Sequence, residues 1–230
     1  MNGWRIPPPT EPTKNKETFK REREKKIEEL IKKGYIKSEQ IKEAMLKVQR
    51  EDFILPEYRD YAYLEVPFPI PGENATISCP HSYPLFYEPL GLDKGHKFLE
   101  VGLGSGYGAA LAREIVGSEG LVVSIDIDLW TFTFAKRNLA QAGYRDIILV
   151  QGDGGLGYPE KAPYDRICIT AACPEIPLPL FEQLRIGGKL IAPVIEGGIQ
   201  NLILHEKGSQ GIKKKFICEV LYVSLKGRFE

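Results

Sequence analysis

The chain has 230 residues, 43% of them hydrophobic, with 31 lysines and arginines against 31 aspartates and glutamates. That length suits one large α/β domain with a small extension, and the composition is that of an ordinary soluble globular protein. The even charge balance excludes a global bias toward nucleic acid or a membrane surface, and no apolar run approaches the roughly 20 residues that span a bilayer.

Residues 1–16 carry four prolines and little apolar content, which predicts a flexible or extended arm. Residues 1–20 lack the apolar centre of a signal peptide, so a cytoplasmic location is expected. Residues 17–33 predict a helix with Phe19, Ile27, Leu30 and Ile31 on one face and Gly34 as its stop. Its acidic and basic residues are interspersed, so the charge run is a solvated face rather than a nucleic-acid patch. Ser38 is a plausible N-cap for a second helix carrying Ile41, Ala44, Met45 and Val48. Residues 1–50 are therefore an arm and helical extension, and 51–230 the main domain. Residues 50–84 hold six prolines and predict a long ordered loop.

From residue 97 the order is regular. Short β-type runs at 97–101, 121–126, 146–150 and 165–170 alternate with segments, two of them helix-type at Tyr107–Val116 and Leu129–Ala142. This predicts an α/β fold with a doubly wound, mostly parallel Rossmann-like sheet. The runs at 187–194, 201–206 and 216–223 have connections too short for crossover helices, so the C-terminal edge should be antiparallel. Cys168 falls in an apolar run, where a buried free thiol is expected. Cys79, Cys168, Cys173 and Cys218 form no Cys-x-x-Cys pair, and His81, His96 and His205 show no ligand spacing, so no metal is expected.

The segment 97–116 combines strand, glycine loop and helix. Gly102, Gly104 and Gly106 let the backbone turn sharply, and the helix N-terminus offers unpaired N–H groups. Two cofactor classes use such a loop: dinucleotides through their pyrophosphate, and S-adenosylmethionine through its methionine and ribose. The register from Gly104 through Gly106 to Ala109 fits a dinucleotide. Against it, Tyr107 stands where a pyrophosphate wants a small residue, and the Glu100 carboxylate would repel a pyrophosphate while pairing with an ammonium. The rival reading of Glu100 is the cap of a local network. Asp126 ends the second strand and can accept both ribose hydroxyls, with Asp128 as its local rival. Asp153 follows the third strand and can accept from an adenine amino group, or merely form a turn.

Several segments resemble the protein-L-isoaspartate O-methyltransferases, from about Glu51 to the C-terminus. Thr76-Ile77-Ser78-Cys79-Pro80-His81 is similar to the most specific motif of that family. Phe98-Leu99-Glu100-Val101-Gly102-Leu103-Gly104-Ser105-Gly106-Tyr107 is similar to its cofactor motif. Gly152-Asp153-Gly154, Ala162-Pro163-Tyr164-Asp165, Thr170-Ala171-Ala172 with Pro174, and Leu184 to Val194 fit in order, and Gln200 falls where the family has a glutamine. Departures are Asn74-Ala75 in place of a common Gly-Gln pair, Cys79, Tyr83, and the aromatic run Trp130, Phe132 and Phe134.

The resemblance implies methyl transfer from S-adenosylmethionine, leaving S-adenosylhomocysteine, to the α-carboxylate of L-isoaspartyl residues in damaged proteins and peptides. A carboxylate is ionised at neutral pH, so no general base is needed. Neutral donors that align it suit the task better than a buried arginine. Ser78 and Thr76 are the candidate catalytic donors; Ser78 as a cap for a helix starting near Pro80 is the alternative. The expected cofactor residues are Ile77, Ser78, Glu100, Val101, Gly102, Gly104, Ser105, Gly106, Asp126, Ile127, Gly152, Asp153, Gly154 and Thr170. The expected substrate residues are Thr76, Ser78, His81, Ala172 and Gln200, with His81 as a structural histidine the alternative. The partners are isoaspartyl peptides and proteins, with neither nucleic acid nor membrane, and oligomeric state is left open. Rival functions on the same fold are methyl transfer to RNA or a small molecule, a catalytically silent cofactor-binding homologue, and a dinucleotide oxidoreductase.

Overall fold

The computed structural model describes residues 6–230, so residues 1–5 of the expected arm lie outside the described residues. The rest of the arm is pinned rather than free. The Thr10 amide donates to the Glu57 carbonyl, and the Thr13 amide and hydroxyl both donate to the Asp60 carboxylate at 2.8 and 2.7 Å.

Helix α1 (Lys16–Lys32) starts where the Asn15 side chain accepts from the Thr18 amide. Phe19, Ile27 and Leu30 are buried, but Ile31 is 41% exposed. One residue beyond Leu30 is about 100° further round the helix, which turns Ile31 to solvent. Gly34 ends the helix at φ +76°, and the Gly34 and Tyr35 amides return to the Ile31 and Leu30 carbonyls. Helix α2 (Glu39–Lys47) buries Ile41, Ala44 and Met45, with Val48 buried at its end. Ser38 occupies the N-cap position, yet its hydroxyl donates to Glu88 rather than capping.

The proline-rich loop holds more structure than expected. Two 3-10 turns are followed by a small hairpin of β1 (Phe68–Pro69) and β2 (Thr76–Ile77), then α3 (Ser82–Leu90). The main elements then follow as β3 (Lys97–Val101), α4 (Tyr107–Val116), β4 (Leu121–Asp126), α5 (Leu129–Gln141), β5 (Ile148–Gln151), β6 (Tyr164–Ile169), α6 (Leu178–Gln183), β7 (Leu184–Glu196), β8 (Ile199–Gly208) and β9 (Gly211–Val220). The sheet order is β5-β4-β3-β6-β7-β8-β9. Pairing is parallel from β5 through β7 and antiparallel at β7–β8 and β8–β9, as the short connections require. It is the doubly wound, mostly parallel Rossmann-like sheet that the element order predicts.

Alternation along β3 sends Phe98 to one face and Leu99 and Val101 to the other. Helices α1 to α5 pack over the Phe98 face in one continuous core, so residues of the N-terminal extension share the core with the sheet. The opposite face is covered thinly by Leu180 of α6, by Tyr158 and by the C-terminal Leu225 and Phe229. The strand order turns at β3 and β6, and ligands in open sheets bind outside the carboxyl ends at such a point. No helix among the described residues is long and apolar enough to cross a membrane.

Candidate active site

A cavity of about 1190 Å³ opens at the carboxyl ends of β3, β4 and β6. Glu100, Val101, Gly102, Gly104, Ser105, Asp126, Ile127, Gly154 and Thr170 line it from the sheet side. Thr76, Ser78, Cys79 and His81 line it from the loop before the sheet. The two sides nearly touch, because a Cβ on Gly104 would lie 3.9 Å from the Thr76 carbonyl.

The glycine loop is held by the strands it bridges. The Gly102 and Leu103 amides both donate to the Ile125 carbonyl, at 2.9 and 3.0 Å. Gly102 has φ +97°, and a Cβ there would lie 2.2 Å from Thr170 Oγ1, so only glycine fits. Gly106 caps α4, and Ile77 of β2 is buried in the core; neither lines the cavity.

Glu100 is 2% exposed and lies under α4, where Ser124 Oγ donates to its Oε2 at 2.6 Å. Burial pushes its carboxyl up to about 8, against the hydrogen bond from Ser124 and with the help of the neighbouring Asp126. Glu100 therefore anchors a local network and also lines the cavity. Asp126 Oδ2 accepts from the Gly104 amide at 3.0 Å and Oδ1 from the Asp128 amide at 3.1 Å. Burial raises its carboxyl, and those amides oppose the rise. Each oxygen keeps a lone pair for a ribose hydroxyl. Asp128 instead caps α5 through the Thr131 amide.

Other expected residues stand elsewhere. Asp153 Oδ1 accepts from the Gly155 amide at 2.9 Å and Oδ2 from the Arg228 amide at 2.8 Å, so its carboxylate forms a turn and holds the C-terminal segment. Neither it nor Gly152 lines the cavity. Gln200 makes two hydrogen bonds to the backbone of Tyr222, at 2.9 and 2.6 Å. Ala172 accepts from the Leu225 amide and donates to the Val223 carbonyl. Both therefore hold a wall of the cavity rather than face into it.

That wall was not legible in the sequence. Residues 221–223, expected as strand, leave the sheet at Val220, and residues 218–226 line the cavity. Lys226 bonds Glu73 across the mouth at 2.6 Å. Arg50 was also missed. It is 1% exposed, lies over the rings of Tyr83 and Tyr107, and donates to the Ser78 carbonyl at 2.6 Å and the Ala62 carbonyl at 2.7 Å. Ser78 thus has its backbone gripped from behind, and the cap of α3 is His81 instead.

The chemistry of the lining decides between cofactor classes. Glu73, Glu100, Asp126, Asp128, Glu219 and Glu230 face the cavity, and the lysine there, Lys226, is paired with Glu73. Such a site suits an ammonium, a sulfonium and a ribose diol and is hostile to a pyrophosphate. Close to Ser78, Glu65, Cys79 and His81 bring ligand-type atoms within 4.8 Å of one another. Glu65 there is already compensated by Lys26 Nζ at 3.2 Å, which a metal cation would have to displace. Burial works to raise the Glu65 carboxyl, but the ring and amide of His81 and the Lys26 charge outweigh it and hold it at about 2.

Residues 21–230 match the family model for Protein-L-isoaspartate(D-aspartate) O-methyltransferase (PCMT). The chain belongs to this family. A protein-L-isoaspartate O-methyltransferase of Hyperthermus butylicus is 43% identical over 226 residues, covering 94% of this chain and 93% of that one. One from Methanopyrus kandleri is 45% identical over 194 residues, covering 84% and 85%. A solved protein-L-isoaspartate O-methyltransferase superposes with TM-score 0.82 at 34% identity, covering 90% of this chain and 67% of its own. A Plasmodium falciparum structure of the same description, in complex with S-adenosyl-L-homocysteine, gives 0.80 at 25% identity, covering 89% and 98%.

Proposed function

We propose that the chain is a repair methyltransferase that moves a methyl group from S-adenosylmethionine to the α-carboxylate of L-isoaspartyl residues in damaged proteins and peptides. The observation that carries the reading is the single cavity joining the acidic strand ends to the Thr76–His81 loop. When bound, S-adenosylmethionine supplies an electrophilic methyl group on a sulfonium. Glu100, giving up its proton on binding, would pair with its ammonium, Asp126 would accept from its ribose, and the Gly102 to Ser105 backbone would leave room for it. The hydroxyls of Ser78 and Thr76 donate to the substrate carboxylate and point one oxygen along the transfer line. These neutral donors orient the anion without overstabilising the charge that disappears in the transition state. Arg50 keeps its charge behind the Ser78 carbonyl, where it holds the loop instead of trapping the substrate.

The partners are peptide and protein substrates. A cytoplasmic location belongs to the same proposal, and the four free cysteines agree with a reducing compartment. The test is labelled methyl transfer to an isoaspartyl peptide and to its normal aspartyl twin. Labelling of the isoaspartyl peptide alone is expected, and equal labelling of both, or of neither, sinks the reading. Ser78→Ala should lower kcat by about tenfold to a hundredfold while cofactor affinity stays within about twofold.

A further inference from the structure

The turn after helix α1 reaches the cavity through Tyr35, and Lys26 of α1 stands behind the lining on Glu65. Glu65 Oε1 accepts from the His81 amide at 3.0 Å and faces His81 Nδ1 at 2.8 Å, while Oε2 takes Lys26 Nζ at 3.2 Å. Tyr35 packs on the His81 ring with centroids 5.1 Å apart, and both residues line the cavity. An ionised carboxylate only accepts hydrogen bonds, so Nδ1 carries the proton and the free lone pair of a neutral ring lies on Nε2. No hydrogen bond among the described residues occupies Nε2.

We propose that Lys26, Glu65 and Tyr35 are positioning residues for peptide recognition, which hold His81 so that Nε2 accepts a backbone N–H flanking the isoaspartyl residue. The proposal rests on the isoaspartyl-peptide reading above. An acceptor at this place has a second effect. It repels the free α-carboxylate and leaves the Ser78 and Thr76 hydroxyls as the place for that group. The backbone bond from His81 to Glu65 also sets the path of the loop three residues after Ser78. The N-terminal extension thereby becomes part of the substrate site.

Two measurements test this. The chain has three histidines, so nitrogen-15 spectra of histidine-labelled protein, with His81→Gln for assignment, report the ring tautomer directly. The Nδ1–H form is expected for His81, and the Nε2–H form overturns the proposal. In methylation kinetics, Glu65→Gln and Lys26→Met should each raise the peptide KM by about fivefold, the equivalent of one neutral hydrogen bond, with kcat and cofactor affinity within about twofold. Lys26→Arg should restore the peptide KM. An unchanged KM in Glu65→Gln, or a cofactor affinity that falls in step with it, overturns the proposal. Tyr35→Ala carries the same expectation should Glu65→Gln fail to fold, as read from its thermal melt. Absence of any wild-type turnover defeats the function reading itself, whereas normal wild-type turnover with an unmoved KM in the variants defeats only this one.

Discussion

Glu100 has little room to move. Its Oε2 is held by Ser124, and its Oε1 lies 2.3 Å from where a Cβ on Gly108 would stand. Gly108 is in the first turn of α4, where alanine would ordinarily stabilise the helix by less than the roughly 1 kcal/mol of an interior position. Gly108→Ala must therefore push the carboxylate aside, and the propensity gain offsets part of that clash. The expected outcome is a lowered melting temperature together with cofactor affinity weakened about tenfold or more, measured by calorimetric titration. Unchanged affinity would show that Glu100 does not hold the methionine end. Glu100 and Asp126 were legible because strand ends and glycine loops are local patterns. Gly108 was not, because the side chain it must avoid comes from the strand below.

At the scale of elements, the cavity wall from Cys218 to Lys226 depends on one side chain and one backbone bridge that replace a sheet partner. Once the chain leaves β9 at Val220, Gln200 supplies a donor and an acceptor to Tyr222, and Ala172 does so for Val223 and Leu225. Each Gln200 bond is worth about 1 kcal/mol. Gln200→Ala should cost about 1–2 kcal/mol in denaturant unfolding. It should also speed hydrogen exchange at the Tyr222 and Leu225 amides beyond the global change, and raise the peptide KM a few-fold. A uniform rise in exchange across the sheet would contradict the local role. The expectation of Gln200 as a substrate contact came from its position alone; the structure places its amide on the backbone that shapes the pocket. The edge strand itself carries Lys213, Lys214 and Lys215, all exposed, which discourages pairing with another sheet.

At the scale of the whole molecule, the buried groups His205 and Glu100 drive stability with pH in opposite directions. His205 is 1% exposed with no partner for Nδ1, and burial pushes its imidazole down to about 4. Between about 4 and the unfolded value near 6.5, the unfolded chain binds a proton that the native chain refuses, so stability falls as pH drops. Glu100 does the reverse. Between its ordinary 4.5 and about 8, the native chain keeps a proton that the unfolded chain has lost, so stability falls as pH rises. From about 6.5 to about 8, Glu100 acts without His205. Ligand-free protein should lose stability across that interval, and Glu100→Gln should flatten the decline, as read from thermal melts. A wild-type curve that rises over the interval would reject this assignment.

The sequence by itself determined the α/β order, the antiparallel edge, the glycine loop between Glu100 and Tyr107, and the acids at the ends of β3 and β4. These follow from hydrophobic period, connection length and glycine placement, which are properties of neighbouring residues. Only the tertiary structure decided what each polar group bonds. Lys26 meets Glu65 across 39 residues, Arg50 meets Ser78 across 28, and the Arg228 amide takes Asp153 across 75. Such choices depend on which unpaired donors and acceptors the packed elements bring together, and no local pattern carries that information. For that reason the strand-end and glycine-loop lining of the cavity was readable along the chain, while Tyr35 and the C-terminal wall joined that lining only once the sheet had been assembled.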